Sequence, residues 1–375
     1  MTVDLRLTEE QRQIAESVGQ LLANASDSAN MRRAAFGQGG FDAALWRQVA
    51  ELGACGVQVA EAHGGLGLGV TELVLVAEEF GKRLACVPWL ESAVLAGSTI
   101  AALEDEAAAA RWLPFLASGE RIFTLDIGLL ERAPLAVRRE GAGWQLDGVL
   151  PAVPAAMAAV SLLLPVATEG ERRLLMLALD AKGIARRARD NLDATRPVAE
   201  VRLAGVRVPD VDCVARGGAA DRALERGRQL TGIVLASEQV GVAQQCLDLT
   251  VAHLAQRVQF GKPLATLQAL KHRCAQMMVA VELARSAVLG AARELDGMPD
   301  EGRRVRITTM ARTLADDAAR YCTQEAIQLH GGVGFTWEYD PHLYFKRAQA
   351  AHSWLGTPTE WRERLAGALF DGAAA

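Results

Sequence analysis

The stretch RVQFGKPLATLQALKH, residues 257–272, stands between two segments in which apolar residues recur every three or four positions. Such spacing predicts two amphipathic helices, each with one buried stripe. Gly261 and Pro263 lie between the stripes, and both residue types interrupt helices. The chain is therefore expected to turn back in a helical hairpin. A turn alone requires neither an arginine and a phenylalanine at its start nor Gln268 at the start of the second helix.

The residue types at this corner suit a ligand as well as a turn. Arg257 can fork onto a phosphate with two parallel hydrogen bonds, and Phe260 could cover an aromatic ring. The structural alternative is that Arg257 pairs with a carboxylate and Phe260 fills the interior of the hairpin. Both interpretations are open at this point.

The composition is that of an ordinary globular protein and argues against several functional classes. Of the 375 residues, 50% are hydrophobic and 23% are charged, with a formal net charge of −5. This charge gives no support for nucleic-acid binding. No run reaches the roughly 18 consecutive apolar residues of a membrane span, and the start has no apolar signal-peptide run. The six cysteines show no CxxC spacing. We therefore expect no metal, no disulfide framework and a cytoplasmic location.

The pattern of the sequence changes twice along the chain. Residues 1–119 are predicted to form a helical domain, with Thr8 as an early N-cap. Residues 120–215 contain short alternating runs separated by glycine, proline and charged turns, which are typical of a β domain. Residues 216–375 return to long helical periodicity. Because helices and strands are segregated, the sequence predicts the α+β class.

Two further stretches could contact a ligand. QLHGGVGFTWEYD, residues 328–340, follows a helical stripe with the pair Gly331-Gly332. Paired glycines end a helix easily and also let a ligand approach the backbone. In LGTPTE, residues 355–360, a threonine hydroxyl can simply cap a helix or can join backbone N–H groups in binding an anion.

The three stretches together, in this order and at these separations, resemble the acyl-CoA dehydrogenase family of flavoproteins. Residues 51–85 and 200–209 are similar to the family's N-terminal segment and to the strand that closes its β domain, so the resemblance covers nearly the whole chain. It implies an N-terminal helical domain, a middle β-barrel-like domain and a C-terminal four-helix bundle. It also implies assembly as a dimer or as a tetramer formed from two dimers.

The resemblance implies FAD as the cofactor. The corner would meet FAD across a subunit interface, with Arg257 and Gln268 on the pyrophosphate and ribitol side. The residues that match the family's FAD contacts are Arg257, Phe260, Gln268, Gln328, Gly331, Gly332, Thr357 and Thr359, with Thr124 as one further hydroxyl contact.

The implied reaction is the α,β-dehydrogenation of an acyl-CoA thioester, in which a glutamate takes a proton from Cα and the flavin takes a hydride from Cβ. The family's usual glutamate position is Leu355 here, and its known alternative position is Thr231. Glu238 lies about 10 Å further along the same helix face as Thr231 and is the candidate base. The alternative is that Glu238 pairs with an arginine of the bundle. Glu338 is a weaker candidate, expected to pair with a basic residue such as Arg347.

The implied partners follow from the same resemblance. They are an acyl-CoA substrate, which Arg228 could contact near its CoA end, and an electron-transferring flavoprotein as electron acceptor. The chain also lacks a tryptophan-containing flavin motif that is usual in the family. This trimmed pattern resembles a bacterial subgroup of steroid and CoA-ester catabolism, whose members often form heterotetramers in which some subunits lack the base. Homo- and hetero-oligomers both remain open.

Two alternatives to a complete dehydrogenase remain. The chain could be a base-less partner subunit of a heteromeric enzyme, or a non-redox helical assembly protein that keeps the corner motifs as structure. The sequence does not specify the acyl chain.

Overall fold

A computed structural model describes residues 5–37, 40–128 and 133–370. Within these ranges, helices precede and follow a block of strands, so the predicted α+β class is confirmed. The chain forms two compact units. The bundle unit consists of Met1–Met31, Gly69–Ala85 and Gly232–Ala375, and the sheet unit consists of Arg32–Leu68 and Cys86–Thr231.

The secondary structure is defined by the following bounds. The helices are α1 (Glu9–Ala25), α2 (Ser28–Phe36), α3 (Ala43–Glu51), α4 (Val70–Arg83), α5 (Gly97–Ala101, preceded by a π-helical segment at Leu90–Ala96), α6 (Glu106–Ala117), α7 (Gly217–Gln256), α8 (Gln268–Asp296), α9 (Glu301–His330), α10 (Pro341–His352) and α11 (Pro358–Phe370). The strands are β1 (Phe123–Leu125), β2 (Ala136–Arg139), β3 (Gly143–Pro154), β4 (Ser161–Thr168), β5 (Glu171–Ala178), β6 (Ile184–Arg189), β7 (Val198–Pro209), β8 (Cys213–Arg216), β9 (Val258–Gln259) and β10 (Lys262–Pro263).

The changes of element type fall near the predicted domain bounds. Helix α6 ends at Ala117 before β1 begins at Phe123, and α7 begins directly after β8. The three domains themselves stay a prediction, because each compact unit combines segments from separate parts of the chain.

The sheet unit contains two four-stranded sheets, with strand orders β1-β4-β5-β8 and β2-β3-β7-β6. Strand β1 runs parallel to β4, and the other pairs in both sheets are antiparallel. The two sheets do not join into a closed barrel in the described ranges, so the predicted barrel-like middle domain is corrected to a pair of open sheets. Their buried residues include Trp144, Leu146, Leu150 and Leu162.

Helix α7 contributes its residues from Gly232 onward to the bundle unit. Every residue of this helix from Gly232 to Ala243 is buried. The residues of this segment are mostly small or apolar on all sides, and a helix that is apolar all round is expected inside a core rather than on a surface. Any charged side chain in this segment therefore needs a partner within the unit.

Two glycines allow α4 and α7 to pack backbone against backbone. A Cβ atom on Gly81 of α4 would lie 2.0 Å from the carbonyl oxygen of Glu238, and one on Gly241 of α7 would lie 2.0 Å from the carbonyl oxygen of Glu78. No real Cβ atom tolerates such distances, so each helix carries a glycine where the other helix's backbone passes. The Ser237 hydroxyl reinforces the crossing by donating to the carbonyl oxygen of Val74 at 2.6 Å.

Helix α8 is apolar but largely exposed in the single chain. By length and composition it could cross a membrane, with a mean hydropathy of 1.3 over its most apolar window, of which 28% is buried; it is the only such helix among the described residues. One such helix is weak evidence for a membrane span. Its arginines tie it to the bundle, since Arg273 pairs with Glu325 of α9 and Arg285 pairs with Glu78 of α4. Exposed apolar residues on α8 include Met278, Val279 and Leu283.

We expect substitution of Gly241 by alanine to destabilise the bundle unit by about 1–3 kcal/mol, because the added methyl group forces α4 and α7 apart. Gly290 in α8 is the matched control, since its nearest neighbour to an added Cβ is 4.0 Å away. Alanine there should stabilise the helix by about 0.5–1 kcal/mol. Urea unfolding of both variants measures the difference. Equal stability of Gly241→Ala and the native protein would contradict the described crossing.

Candidate functional site

The predicted corner after α7 is a tight β-hairpin. Strands β9 and β10 pair through Gln259 with Lys262 and through Val258 with Pro263. The two central residues, Phe260 and Gly261, have φ angles of 54° and 74°. Positive φ at both central positions defines a type I′ turn, the geometry that fits two-residue hairpins. The corner is therefore a rigid projection and not a loose connection.

Phe260 does not fill the hairpin interior. Its side chain is 86% exposed, and its positive φ is unfavourable for a bulky residue. The structural alternative for Phe260 is thus wrong for the single chain. A large aromatic residue held in a strained, exposed conformation is a candidate contact for another molecule.

The polar residues of the corner are also open. Arg257 and Gln268 are exposed, and Arg257 makes no ion pair with the residues that the structure describes. Gln268 is the first residue of α8, and the residue that caps this helix, Leu267, provides no side-chain hydrogen bond to its first N–H groups. Free N–H groups at a helix start, next to an exposed arginine, suit a phosphate.

Three aromatic side chains join the corner to the glycine loop. The His253 ring stacks on the His330 ring with centroids 4.3 Å apart, and Tyr339 packs edge-on against both at 6.1 Å. His253 precedes Arg257 by about one helical turn, and His330 directly precedes Gly331. Burial is the main cause that lowers the pKa of each imidazole. This cluster was not predicted from the sequence, although both histidines adjoin the predicted motifs.

The three glycines of the loop differ in whether the local structure requires glycine. Gly331 adopts a φ of 66°, which favours glycine, and a Cβ on Gly334 would meet the carbonyl oxygen of Ile327 at 2.6 Å. Gly332 has neither constraint, since nothing lies within 4 Å of an added Cβ. Gln328, one turn earlier, is exposed. The backbone at Gly331 and Gly332 therefore leaves room for a ligand, which a cofactor bound at this loop would need.

The hydroxyl residues have roles within the chain. Thr357 accepts a hydrogen bond from the Glu360 N–H at 3.3 Å, and its own N–H donates to the Glu360 carboxylate at 2.7 Å, which confirms the N-cap alternative for α11. Thr359 is exposed in the first turn of α11. Buried Thr124 donates to the carbonyl oxygen of Pro154 at 2.6 Å, so its hydroxyl could only accept a bond from a flavin.

The sequence resemblance matches the family's two base positions to Leu355 and Thr231, and neither side chain is a proton acceptor. Leu355 is buried and has a φ of 64°. Thr231 is buried, and its hydroxyl donates to the carbonyl oxygen of Gly227 at 2.6 Å, one turn earlier in α7. Arg228, the candidate CoA contact, pairs with Glu225 of the same helix at 3.1 Å. Its proposed contact stays a prediction.

The candidate base Glu238 is held in a buried ion pair. Arg347 of α10 donates to Glu238 at 2.7 Å, and the two side chains are only 3% and 4% exposed. This contact is the structural alternative that the sequence analysis weighed. The pairing of Glu338 with Arg347 stays a prediction. The role of Glu238 as a base stays a prediction.

A second polar network lies beside this pair and was not predicted. Asp316 of α9 accepts from the Gln239 amide at 3.0 Å and from His352 Nδ1 at 2.6 Å. Arg312, one turn earlier in α9, donates to the carbonyl oxygens of Ala351 at 2.5 Å and Trp354 at 3.3 Å. The network fixes the end of α10 and the turn that leads to Leu355. No group of three or more His, Cys, Asp or Glu residues that could hold a metal ion occurs among the described residues.

The comparisons with known proteins agree over both helical parts. The family model described as "Acyl-CoA dehydrogenase, N-terminal domain" matches residues 8–120. The family model described as "Acyl-CoA dehydrogenase, C-terminal domain" matches residues 218–369.

Curated relatives extend the match to nearly the full chain. Acyl-CoA dehydrogenase IpdE2 of Mycolicibacterium smegmatis is 30% identical over 97% of this chain and 100% of that protein. IpdE2 of Mycobacterium tuberculosis is 32% identical over 95% of this chain and 96% of that protein. A chain of the ChsE4-ChsE5 complex from Mycobacterium tuberculosis has a TM-score of 0.88 and 26% identity, with 98% of this chain and 99% of that chain covered. The chain therefore belongs to the acyl-CoA dehydrogenase family.

Proposed function

We propose that this chain is an FAD-binding subunit of an enzyme that dehydrogenates an acyl-CoA thioester between Cα and Cβ. The observation that carries the proposal is the projecting corner, where Phe260 is 86% exposed at a strained φ of 54° beside an exposed Arg257. The non-redox alternative explains neither the strain nor the exposure, because neither feature stabilises a corner that only connects two helices.

The proposed FAD contacts divide by chemistry. Arg257 and the start of α8 would hold phosphate oxygens, and Phe260 would cover part of the nucleotide. The remaining proposed contacts are Gln268, Gln328, Gly331, Gly332, Thr357, Thr359 and Thr124. When bound, FAD supplies the acceptor for the hydride that leaves Cβ. An electron-transferring flavoprotein is the proposed acceptor of these electrons.

The assembly proposed for the chain is a heteromer with a second family member. The exposed apolar residues of α8, Met278, Val279 and Leu283, lie on one helix of the bundle unit, and apolar surface of this kind favours burial against another subunit. A relative of the same fold is named as part of a two-protein complex, ChsE4-ChsE5. Assembly would also cover the corner, which matches a family contact made across subunits.

The absence of a glutamate at the positions that match the family's base raises the question of which subunit carries the proton acceptor. Leu355 and Thr231 cannot accept a proton, and the ion pair with Arg347 supports a structural role for Glu238. The proton acceptor would then be a different group of this chain or a group of the second family member. Glu238 remains the acceptor that the sequence predicts for a chain that is active alone.

Arg257→Ala should reduce FAD retention by about 10- to 100-fold, because the loss of a charged hydrogen-bond partner commonly costs about 1.5–3 kcal/mol. The measurement is flavin content per chain after dialysis of the assembled protein. Arg138→Ala is the control, since Arg138 is an exposed arginine of the sheet unit. Full flavin retention by Arg257→Ala would show that the corner is misplaced as a cofactor contact.

Glu238→Gln should lower the free energy of unfolding by about 3–5 kcal/mol, because the buried Arg347 charge loses its contact with the Glu238 carboxylate. The double variant Glu238→Leu with Arg347→Met should recover most of this loss, because no buried charge then remains at either position. This comparison distinguishes the effect of breaking the ion pair from the effect of replacing both of its residues. Chemical unfolding of the single and double variants tests the coupling, and additive losses would contradict the ion pair.

In folded Glu238→Gln, the rate of flavin reduction by acyl-CoA tests whether Glu238 is the base. A drop of roughly 10²–10⁴-fold supports this role, and an unchanged rate excludes it.

A further inference from the structure

Among the polar groups that the proposed function leaves unused, His352 has the geometry of an oriented proton acceptor. It is the last residue of α10, and its Nδ1 lies 2.6 Å from Asp316 Oδ2. A carboxylate accepts hydrogen bonds, so Nδ1 carries the hydrogen and Nε2 carries the lone pair in the neutral ring.

The carboxylate that orients His352 is itself fixed. Asp316 is 4% exposed, and its other oxygen accepts from the Gln239 amide at 3.0 Å. Both carboxylate oxygens are therefore engaged, and the ring plane of His352 is set by a group that cannot rotate freely. A buried carboxylate in this position stabilises the charge that forms when the imidazole takes a proton.

The second ring nitrogen remains available. The His352 side chain is 27% exposed, and its Nε2 has no hydrogen-bond partner in the ranges that the structure describes. Asp316 on α9 is the charged group that contacts the ring, Arg312 on α9 donates to the carbonyl oxygen of the adjacent Ala351, and the Glu238–Arg347 pair joins α7 to α10. Arg312 donates hydrogen bonds to the backbone carbonyl oxygens of Ala351 and Trp354 in the turn after α10.

The place of this histidine in the chain is also informative. His352 precedes Leu355 by three residues, and a turn connects them, so their Cα atoms lie within about 7 Å of each other. Leu355 fills the position at which the family places its glutamate. An imidazole with a free nitrogen thus stands one turn from the place where the carboxylate is absent.

We propose that His352, oriented by Asp316, is the group of this chain that accepts the Cα proton of the acyl-CoA; this rests on the proposed function. The Cα–H bond breaks, its proton goes to Nε2, and its electron pair passes into the thioester as an enolate. FAD, when bound, would supply the acceptor for the hydride that leaves Cβ, and an electron-transferring flavoprotein would accept both electrons from it. The imidazolium, neutralised by Asp316, returns its proton to solvent. Asp316 is a positioning residue.

The first test is the tautomer of the ring, which requires neither substrate nor turnover. Nitrogen-15 NMR of the histidine-labelled holoprotein should show His352 with hydrogen on Nδ1 and a free Nε2. Asp316→Asn should abolish this preference while the protein keeps its fold and flavin. Hydrogen on Nε2 in the native protein overturns the proposal, because that nitrogen could not then accept a proton.

The second test is the exchange of the Cα hydrogen of an acyl-CoA with deuterated water, measured by mass spectrometry. The probes are octanoyl-CoA and a steroid acyl-CoA, each given to the flavin-loaded protein. His352→Gln should slow exchange by roughly 10²–10⁴-fold. Asp316→Asn should slow it by at least about 10-fold, with flavin content unchanged. The control is His63→Gln, since His63 forms a His–carboxylate pair with Glu106 in the sheet unit.

The outcomes separate this proposal from the proposed function. A colourless protein that takes up no FAD refutes the proposed function. A flavin-loaded protein in which His352→Gln exchanges as fast as the native chain refutes only the role of His352. A native flavin-loaded protein that exchanges neither probe also refutes it, and points to a proton acceptor on the second family member.

Discussion

The bundle unit depends on the crossing of α4 and α7, where Gly81 and Gly241 bring two helix backbones into direct contact. This contact leaves no space for side chains at the crossing and buries the α7 segment around Glu238. A buried carboxylate needs a counter-charge, and Arg347 of α10 supplies it at 2.7 Å. The backbone crossing thereby determines where α10 lies, and α10 carries the turn that ends at Leu355.

The functional consequence is that the acidic residue most suited by sequence to proton abstraction is occupied in holding the fold. Next to it in α7, Gln239 belongs to the second polar network, which runs through Asp316 to His352. One pair of neighbouring residues in α7 thus fixes both Arg347 and His352 on α10. The turn before Leu355, the position that the sequence resemblance matches to the family's glutamate, is held by hydrogen bonds from Arg312 to the backbone. A turn that is held in this way is suited to positioning a ligand.

Local patterns predicted more of this molecule than long-range contacts did. Periodicity and glycine placement predicted the helices, the corner and the end of α9, because these depend on neighbouring residues. The pairing of Glu238 with Arg347, 109 positions apart, has no local signal beyond the charge itself. The open sheets were missed for the same reason, since closure of a barrel depends on distant strand pairs. The strained, exposed state of Phe260 follows from the turn type, which the four residues QFGK, 259–262, do not specify uniquely.

The central claim is that the chain holds FAD in an assembly and contributes to acyl-CoA dehydrogenation. The most direct measurement is the visible absorption spectrum of the purified protein, alone and with a second family member, before and after an acyl-CoA is added without oxygen. The account predicts a flavin spectrum in the assembled protein that is bleached by the acyl-CoA. A correctly folded, assembled protein without flavin, even after incubation with FAD, would contradict it.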